Sequence, residues 1–490
     1  YRRQRQMCIR DRNQVSKSFL WSFLEQASVI VIQFVVQIVL ARLLAPEIFG
    51  VLAIILVVVN ILNVLAQSGL GSALIQDNDA DDQAFSTAIW LSLGFAALLY
   101  LFVYFLSGPI ALFYGMVDLD LYIRVLSLCI FFNAFNSIQR SYLQKTMNFR
   151  SLFLMNLFAL IASGVVGIVM AYSGAGIWAL IAQTIVQSAI ACLVMAILTP
   201  LKISFTFSIH KAKSLFSYGW KMCMTGVLAT AYNSVSELII GKTCTSGDLG
   251  LYSQGRKWPI AAIGAITNAV ANVLFPALAR LKEDRAAFQN AIIRALQSGT
   301  YIIAPLCFLL AVIAEPLIVI LLTDKWISCV PVFQVTCVSY CVLMLQLVNL
   351  RAYMALGDSG LYMKLHIIKL SIGVILLAAV ALTFHDIYVI AFVNGAYTVF
   401  SIICIDAKPA KRKIGIGILE QLRLTLPTFL TAGVSALVAY PVGLLSFSYG
   451  LQLVLQVVLF AIAYVAISKI LKIGALSDII HIMQGLFHRK

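Results

Sequence analysis

Charge is scarce in this sequence. Of its 490 residues only 11% are Asp, Glu, Lys or Arg, 61% are apolar, and the mean hydropathy is +0.96. A water-soluble fold of this length could not bury so much apolar surface, so soluble classes are excluded. No GxxxxGK[ST] phosphate loop occurs, which excludes a nucleotide-driven motor within the chain. The ten cysteines make no framework: Cys129, Cys192, Cys223, Cys307, Cys337, Cys341 and Cys404 fall in apolar runs and read as small core residues. Cys337 and Cys341 share a helix face, but no His or third Cys stands beside them, so no metal site is expected. Cys244 and Cys329 fall in loops, where a disulfide between them is an open alternative. No catalytic signature and no cofactor site is evident.

What is abundant is long apolar runs. A spanning helix needs about 20 apolar residues to cross roughly 30 Å of hydrocarbon. Such runs recur fourteen times, at 18–40, 48–69, 84–106, 121–138, 152–172, 177–198, 216–240, 259–278, 295–314, 330–350, 361–384, 387–405, 424–442 and 451–471. The fold class expected is an all-α integral membrane protein. Residues 1–12 are basic and patternless and read as a non-native tail, and no cleavable signal peptide is evident, since the first apolar run is long enough to span. Without that tail the formal charge falls from +15 to +11, so a basic excess remains.

The distribution of that excess sets the orientation, because cytoplasmic loops retain Lys and Arg. With the N-terminus inside, 22 basic residues lie on the inner side and five, Arg42, Lys242, Arg256, Lys257 and Lys325, on the outer. Both termini are therefore expected in the cytoplasm. Scattered over many short loops, the basic residues form no single stripe of the kind nucleic acid requires.

Laying the first six spans over the next six exposes an internal repeat. At an offset of 200, Gln33, Gln37, Arg42 and Gly50 fall on Asn233, Glu237, Lys242 and Gly250; at 205, Asn63 and Gln67 fall on Asn268 and Asn272. Further on, Pro109 matches Pro316, and Arg140-Ser-Tyr142 matches Arg351-Ala-Tyr353. Six is even, so both halves enter from one side and the pseudo-two-fold axis runs along the membrane normal. The expected organisation is a first lobe at 13–200, a second at 201–410, and two added helices with a C-terminal tail at 411–490.

Polar residues within the spans recur at helical spacing: Ser22, Gln26, Gln33 and Gln37 on the first span, Asn60, Asn63 and Gln67 on the second. Lys221 and Glu237 on the seventh, and Asn268 and Asn272 on the eighth, are their counterparts. Two readings stand, a cleft lining or hydrogen bonds that join helices. A charge in hydrocarbon costs at least about 2.5 kcal/mol, which makes Glu25, Arg124, Lys221, Glu237 and Lys369 functional candidates. Lys369, about 12 Å from its span's start, is expected to face a cavity. For Arg124, Arg140 and Arg351, near helix ends, headgroup contact competes with a role in the cleft. Lys221 and Lys369 together suit an anion site, and Glu25 and Glu237 suit ion coupling. The crowded Asp77, Asp79, Asp81 and Asp82 read as a solvated turn.

The segments VLARLLAPEIFGVLAI (39–54), SGLGSALIQ (68–76), YLQKTMNFR (142–150), GIWAL (176–180), VLFPALARLKED (273–284) and DKWISCVPVFQVTCV (324–338) resemble bacterial Wzx-type O-unit flippases, of the polysaccharide transporter family in the MOP superfamily. The likeness runs from about Val15 to Leu471 and is nearest to the colanic-acid-exporter-like branch. It implies two six-helix lobes around a basic cavity that opens alternately to either side. The implied substrate is an undecaprenyl-pyrophosphate-linked oligosaccharide, flipped across the bacterial inner membrane in surface polysaccharide or lipopolysaccharide biosynthesis. A polysaccharide polymerase and a chain-length regulator are the candidate protein partners. The superfamily's lipid II flippases also carry fourteen spans, the last two forming a lipid-lined groove.

Two other readings compete. A multidrug or cation extruder of the same superfamily calls for an acidic cavity, whereas this one is expected to carry Lys221 and Lys369. A membrane polysaccharide polymerase or ligase calls for a substantial outer loop, and here those loops are only about five to twenty residues long.

Overall fold

Every one of the fourteen apolar runs lies on helix where the chain is described. The structure, a computed structural model, describes residues 28–67, 69–76, 81–201, 204, 208–471 and 473. In chain order the helices are α1 (Ser28–Leu43), α2 (Pro46–Gln67), α3 (Leu70–Gln76), α4 (Asp82–Tyr114), α5 (Leu119–Ser127), α6 (Cys129–Lys145), α7 (Phe149–Tyr172), α8 (Ile177–Leu198), α9 (Ile209–Thr243) and α10 (Ser246–Leu281). They continue with α11 (Arg285–Val312), α12 (Ala314–Leu322), α13 (Val330–Tyr340), α14 (Leu343–Ala355), α15 (Ser359–Phe384), α16 (Ile387–Phe400), α17 (Ala410–Lys413), α18 (Ile418–Ala439) and α19 (Tyr449–Ile470). A π-helical turn, Ser401–Asp406, continues α16, and 3-10 turns occupy Asp324–Cys329 and Tyr440–Leu444.

Among the described residues, eleven segments are long and apolar enough to cross a membrane, and the pair Asp324–Tyr340 with Leu343–Ala355, bent by 46°, makes a twelfth. The two other expected spans are 18–40, described from Ser28 onward as α1, and 216–240, which lies within α9. Broad lipid-facing surface remains on the helices: Leu98, Leu101, Phe102 and Phe105 on α4, and Ile375 and Leu382 on α15, are all exposed. Pro109, expected beyond the third span, lies inside α4, which runs on to Tyr114 before Gly115 ends it with φ +65°.

The scarce acids work at helix starts. Asp81, Asp284, Asp358 and Asp386 each accept a hydrogen bond from a first-turn backbone N–H, at 2.9, 3.0, 3.1 and 2.7 Å. Such a cap is worth about 1 kcal/mol because it satisfies a donor the helix leaves unpaired. Asp248 completes a capping box with Thr245 on α10, and Glu420 accepts from Gly417 N at 2.9 Å at the start of α18. The solvated-turn reading of the Asp77–Asp82 cluster is resolved for Asp81, a cap; Asp77 and Asp79 lie outside the described residues.

The chain divides into two compact units, Tyr1–Lys242 and Thr243–Lys490, one helix later than the lobe boundary expected at 200. The reason is visible in α9, whose end is fastened to α4. Tyr114 Oη donates to Leu238 O at 3.3 Å, and Lys242 Nζ donates to Phe113 O and lies 4.6 Å from that residue's ring centroid. In the same unit α7 and α8 form a long antiparallel pair, while α2 packs on α4, α5 and α6. The second unit is built on α10, α11, α13 and α14 around Ile263, Leu278, Ile292, Leu296 and Met344, and α18 joins α11 to α19. The repeat seen in the sequence recurs in the helix breaks. α1 gives way to α2 at Leu44–Ala45, and α9 to α10 at Cys244–Thr245, 200 residues apart.

Close helix approach depends on glycine, as in other membrane bundles. A Cβ on Gly255 would stand 2.9 Å from the carbonyl oxygen of Cys329, and one on Gly395 would collide with Ser339 Oγ. Cys244 and Cys329 are both free thiols.

Candidate functional site

The polar residues that meet in the second unit are drawn from α14, α15, α16 and the π turn. Lys369 lies ten residues into α15, about 15 Å along its axis. Its ammonium Nζ is 2.8 Å from Asp406 Oδ2, and neither side chain has any solvent exposure. Among the described residues these are the fully buried charges. Lys369 was expected to face a cavity; its ammonium lies instead against an acid that the span boundaries, ending at residue 405, left out. Burying two ions costs several kcal/mol each, and the pair persists only where geometry and further hydrogen bonds offset that cost.

Those further bonds are present. Gln346 Nε2 donates to Asp406 Oδ2 at 2.8 Å, Tyr353 Oη to the Asp406 backbone oxygen at 2.8 Å, and Tyr397 Oη to the Lys369 backbone oxygen at 2.6 Å. The π turn carries the backbone of Asp406 into this position; wide turns of this kind recur at functional sites. Along α14, Gln346, Asn349 and Tyr353 form one stripe at spacings of three and four. Asn349 exchanges two hydrogen bonds with Gln421 of α18, at 2.9 and 3.0 Å.

Two groups in this cluster are unsatisfied. Asp406 Oδ1 is buried without a hydrogen-bond partner, and so are both ring nitrogens of His366. His366 lies three residues before Lys369, on the same helix face, with its ring 4.5 Å from that of Tyr362. Both charges of the pair act on it. Buried polar atoms are hydrogen-bonded in the great majority of cases, and two unsatisfied groups beside one ion pair make this cluster the candidate site.

The other expected site residues are distributed as follows. In the first unit, Gln33 is exposed on α1, while Gln37 and Glu237 are half-buried on α1 and α9. Asn63 accepts from Asn133 Nδ2 at 3.1 Å, which joins α2 to α6 and supports the bundle-joining reading of that residue. Arg124 is held by three neighbours: its Nε donates to Ser107 Oγ at 2.8 Å, Asp120 is 3.4 Å away, and Tyr104 lies under the guanidinium at 4.5 Å. In the second unit Asn268 and Asn272 are exposed on α10, and Arg351 is half-buried on α14. Glu25 and the side chain of Lys221 lie outside the described residues. Among the described residues no group of three metal-ligating side chains occurs.

Two ion pairs tie lysines of α9 and α17 to the capping acids of α4 and α15. Lys211 reaches Asp81 at 2.7 Å and Lys413 reaches Asp358 at 2.5 Å. The lysine hydrogen bond, with the capping N–H next, holds each carboxyl below its ordinary range.

A second feature of the same unit is apolar. A cavity of about 500 Å³ lies between α11 and α18, lined by Phe308, Val312, Phe429, Gly433, Leu437 and Tyr440. It has the chemistry of a hydrocarbon chain and nothing to offer a charge.

The chain resembles known proteins in fold and in sequence. Lipid II flippase MurJ, in its inward closed conformation, superposes with a TM-score of 0.73 at 15% identity, over 92% of this chain and 98% of that one. An inward-facing multidrug resistance MATE family transporter of the MOP superfamily gives 0.59 at 13% identity, over 85% and 98%. The fold is thus of the MOP type. Succinoglycan biosynthesis transport protein ExoT of Rhizobium meliloti is 26% identical over 325 residues, 66% of each chain. Lipopolysaccharide biosynthesis protein WzxC of Escherichia coli is 23% identical over 323 residues, 65% of each. The chain therefore spans just under two thirds of the length of these relatives. A family described as polysaccharide biosynthesis protein matches residues 39–331, more than half of the chain, and the chain belongs to that family.

Proposed function

We propose that this chain is a flippase for an undecaprenyl-pyrophosphate-linked oligosaccharide, exporting repeat units for surface polysaccharide or lipopolysaccharide biosynthesis by alternating access. The observation that carries the reading is a MOP-type fold in a member of the polysaccharide biosynthesis family. The apolar cavity on α11 and α18 supports it, since a polyprenyl tail needs a hydrocarbon surface while its headgroup crosses. The basic excess on one side supports an inner-membrane location with both termini in the cytoplasm, where the substrate is loaded. A polymerase and a chain-length regulator receive the flipped unit outside.

In this scheme Lys221 and Lys369 hold the pyrophosphate, with Arg351 and Arg124 nearer the helix ends. Gln33, Gln37, Asn63, Asn268 and Asn272 contact sugar hydroxyls, and Glu25 and Glu237 exchange the coupling ion. A charged pyrophosphate cannot cross hydrocarbon unaided, and an ammonium releases a phosphate more readily than a bidentate guanidinium does. Lys369 is available to the substrate only when Asp406 lets it go.

Reconstituted protein and a fluorescent undecaprenyl-pyrophosphate-linked disaccharide test the proposal. Protein-dependent movement of the label between leaflets is expected, slowed at least tenfold in Lys221→Gln. Transport of a lipophilic cation dye with no movement of the lipid-linked sugar would transfer the chain to the drug-extruder class.

A further inference from the structure

We propose that Asp406 is a proton-exchange site whose loading frees Lys369 to bind a phosphate anion, so that proton uptake and anion capture favour one another. The inference rests on the export reading above and concerns anion capture at Lys369, leaving the ion exchange proposed for Glu25 and Glu237 in place. Three observations carry it. The Lys369–Asp406 pair is wholly buried at 2.8 Å. One oxygen of Asp406 has no partner. His366, one turn from Lys369, has two buried nitrogens without partners.

The charge arithmetic gives the mechanism. As found, the site holds one ammonium and one carboxylate and is neutral, which a low-dielectric interior tolerates. A proton arriving from water adds to Asp406 Oδ1, the oxygen with nothing bound; Oδ2 then accepts from Lys369 and Gln346 as part of a neutral acid, a weaker hold on Lys369, which remains an ammonium. The site now carries one net positive charge, which is costly in hydrocarbon unless an anion arrives. A phosphate oxygen that takes the place of Asp406 beside Lys369 supplies the missing countercharge. When the anion departs, the proton leaves Oδ1 and the pair closes again. No bond other than O–H forms or breaks. By linkage, whatever factor a proton adds to anion affinity, the anion adds to proton affinity.

His366 is the proton's stepping stone. A neutral imidazole exchanges a proton without a change of covalent structure, and its nitrogens are idle on the face that carries Lys369. The other titratable or charged groups on the packed elements are few. α15 supplies Tyr362 and Lys364, α14 supplies Tyr353 and Arg351, α16 supplies Tyr388 and Tyr397, the π turn supplies Cys404, and Lys408 follows it. The Tyr353 and Tyr397 hydroxyls are engaged as donors to backbone oxygens, whereas Asp406 and His366 each have a buried polar atom without a partner.

The test uses the full chain in lipid nanodiscs, infrared difference spectroscopy between mildly alkaline and mildly acidic buffer, and undecaprenyl pyrophosphate as the anion. A protonated carboxyl band is expected to grow on acidification, to grow further when undecaprenyl pyrophosphate is added, and to vanish in Asp406→Asn. Affinity for undecaprenyl pyrophosphate should rise several-fold on acidification, beyond any rise in Asp406→Asn. Asp406→Asn leaves Lys369 as a lone buried charge; if it does not fold, Lys369→Gln with Asp406→Asn carries the same comparison with no lone charge. Absence of a carboxyl band lost with Asp406, or a band indifferent to the anion, overturns the proposal. Failure of the intact protein to flip the labelled disaccharide overturns the export reading instead, and the spectroscopic result separates the two.

Discussion

Asn349 and Gln421 exchange two hydrogen bonds across the α14–α18 contact, at 2.9 and 3.0 Å, with both side chains fully buried. Each is the other's main source of satisfaction, so removing one strands the other. Asn349→Leu and Gln421→Leu should each lower stability by about 1–3 kcal/mol, while the double variant should lose much less than their sum. Thermal unfolding in a fixed detergent measures the cycle, and additive losses would show that the two amides do not depend on each other.

Gly255 of α10 faces main chain, a surface that cannot yield as a flexible side chain would. A Cβ there stands 2.9 Å from the oxygen of Cys329 and 2.9 Å from Val332 Cβ. Gly255→Val is expected to cost about 1–3 kcal/mol through overpacking. Gly264→Ala, on the same helix with open space around it, is the control and should be near neutral or stabilising. Equal melting shifts in the two would discount the contact.

Asp81 and Asp358 are carboxyls held below their ordinary range by Lys211 and Lys413. A depressed folded pKa means stability fully present above the unfolded value, about 3.9, and lost as pH falls below it through the folded value. Both groups are solvent-facing, so screening keeps the effect small. Amide hydrogen exchange at the first turns of α4 and α15 should therefore stay flat from neutral pH down to about 5 and quicken, relative to the intrinsic rate, below about 4. Asp81→Asn should abolish the acid step at α4 alone; an unchanged step in that variant would assign it elsewhere.

The orientation proposed from the basic residues is open to labelling. A single cysteine introduced near Gly174 or Ser446, in a background without the native cysteines, should react with an impermeant maleimide added outside intact cells. One near Lys411 should react only after the membrane is opened. The reverse pattern would invert the topology and with it the direction of export.

Much of the fold was legible because hydrophobic length alone fixes a spanning helix. The breaks at Leu44 and Cys244 even repeat the offset that Gln37 and Glu237 suggested. The site was less legible. Lys369 stood out as a charge in an apolar run, but its partner is 37 residues away on another element, one residue beyond the expected end of the twelfth span. Asp406 lies in the stretch Ile402–Ala407, apolar but for Asp406 itself, and that isolation was the signal available. His366 at three residues from Lys369 was another. The polar stripe alone could not separate the two readings of Asn63, because an amide that joins two helices and an amide that faces water leave the same periodicity in a sequence.

The π turn at Ser401–Asp406 makes the buried pair a matter of chain length as much as of composition. A wide turn holds one residue more than the α-helical path it replaces, and each residue of an α-helix advances the side-chain direction by about 100°. Removing or adding a single residue in Phe400–Ile405 while the wide turn persists would rotate the acid by about 100°, away from Lys369, with the ionic residues at the site preserved. Among descendants of this sequence, loss or gain of one residue in that short interval is therefore the change to look for where the pairing has been abandoned, and substitutions at Lys369 should accompany it.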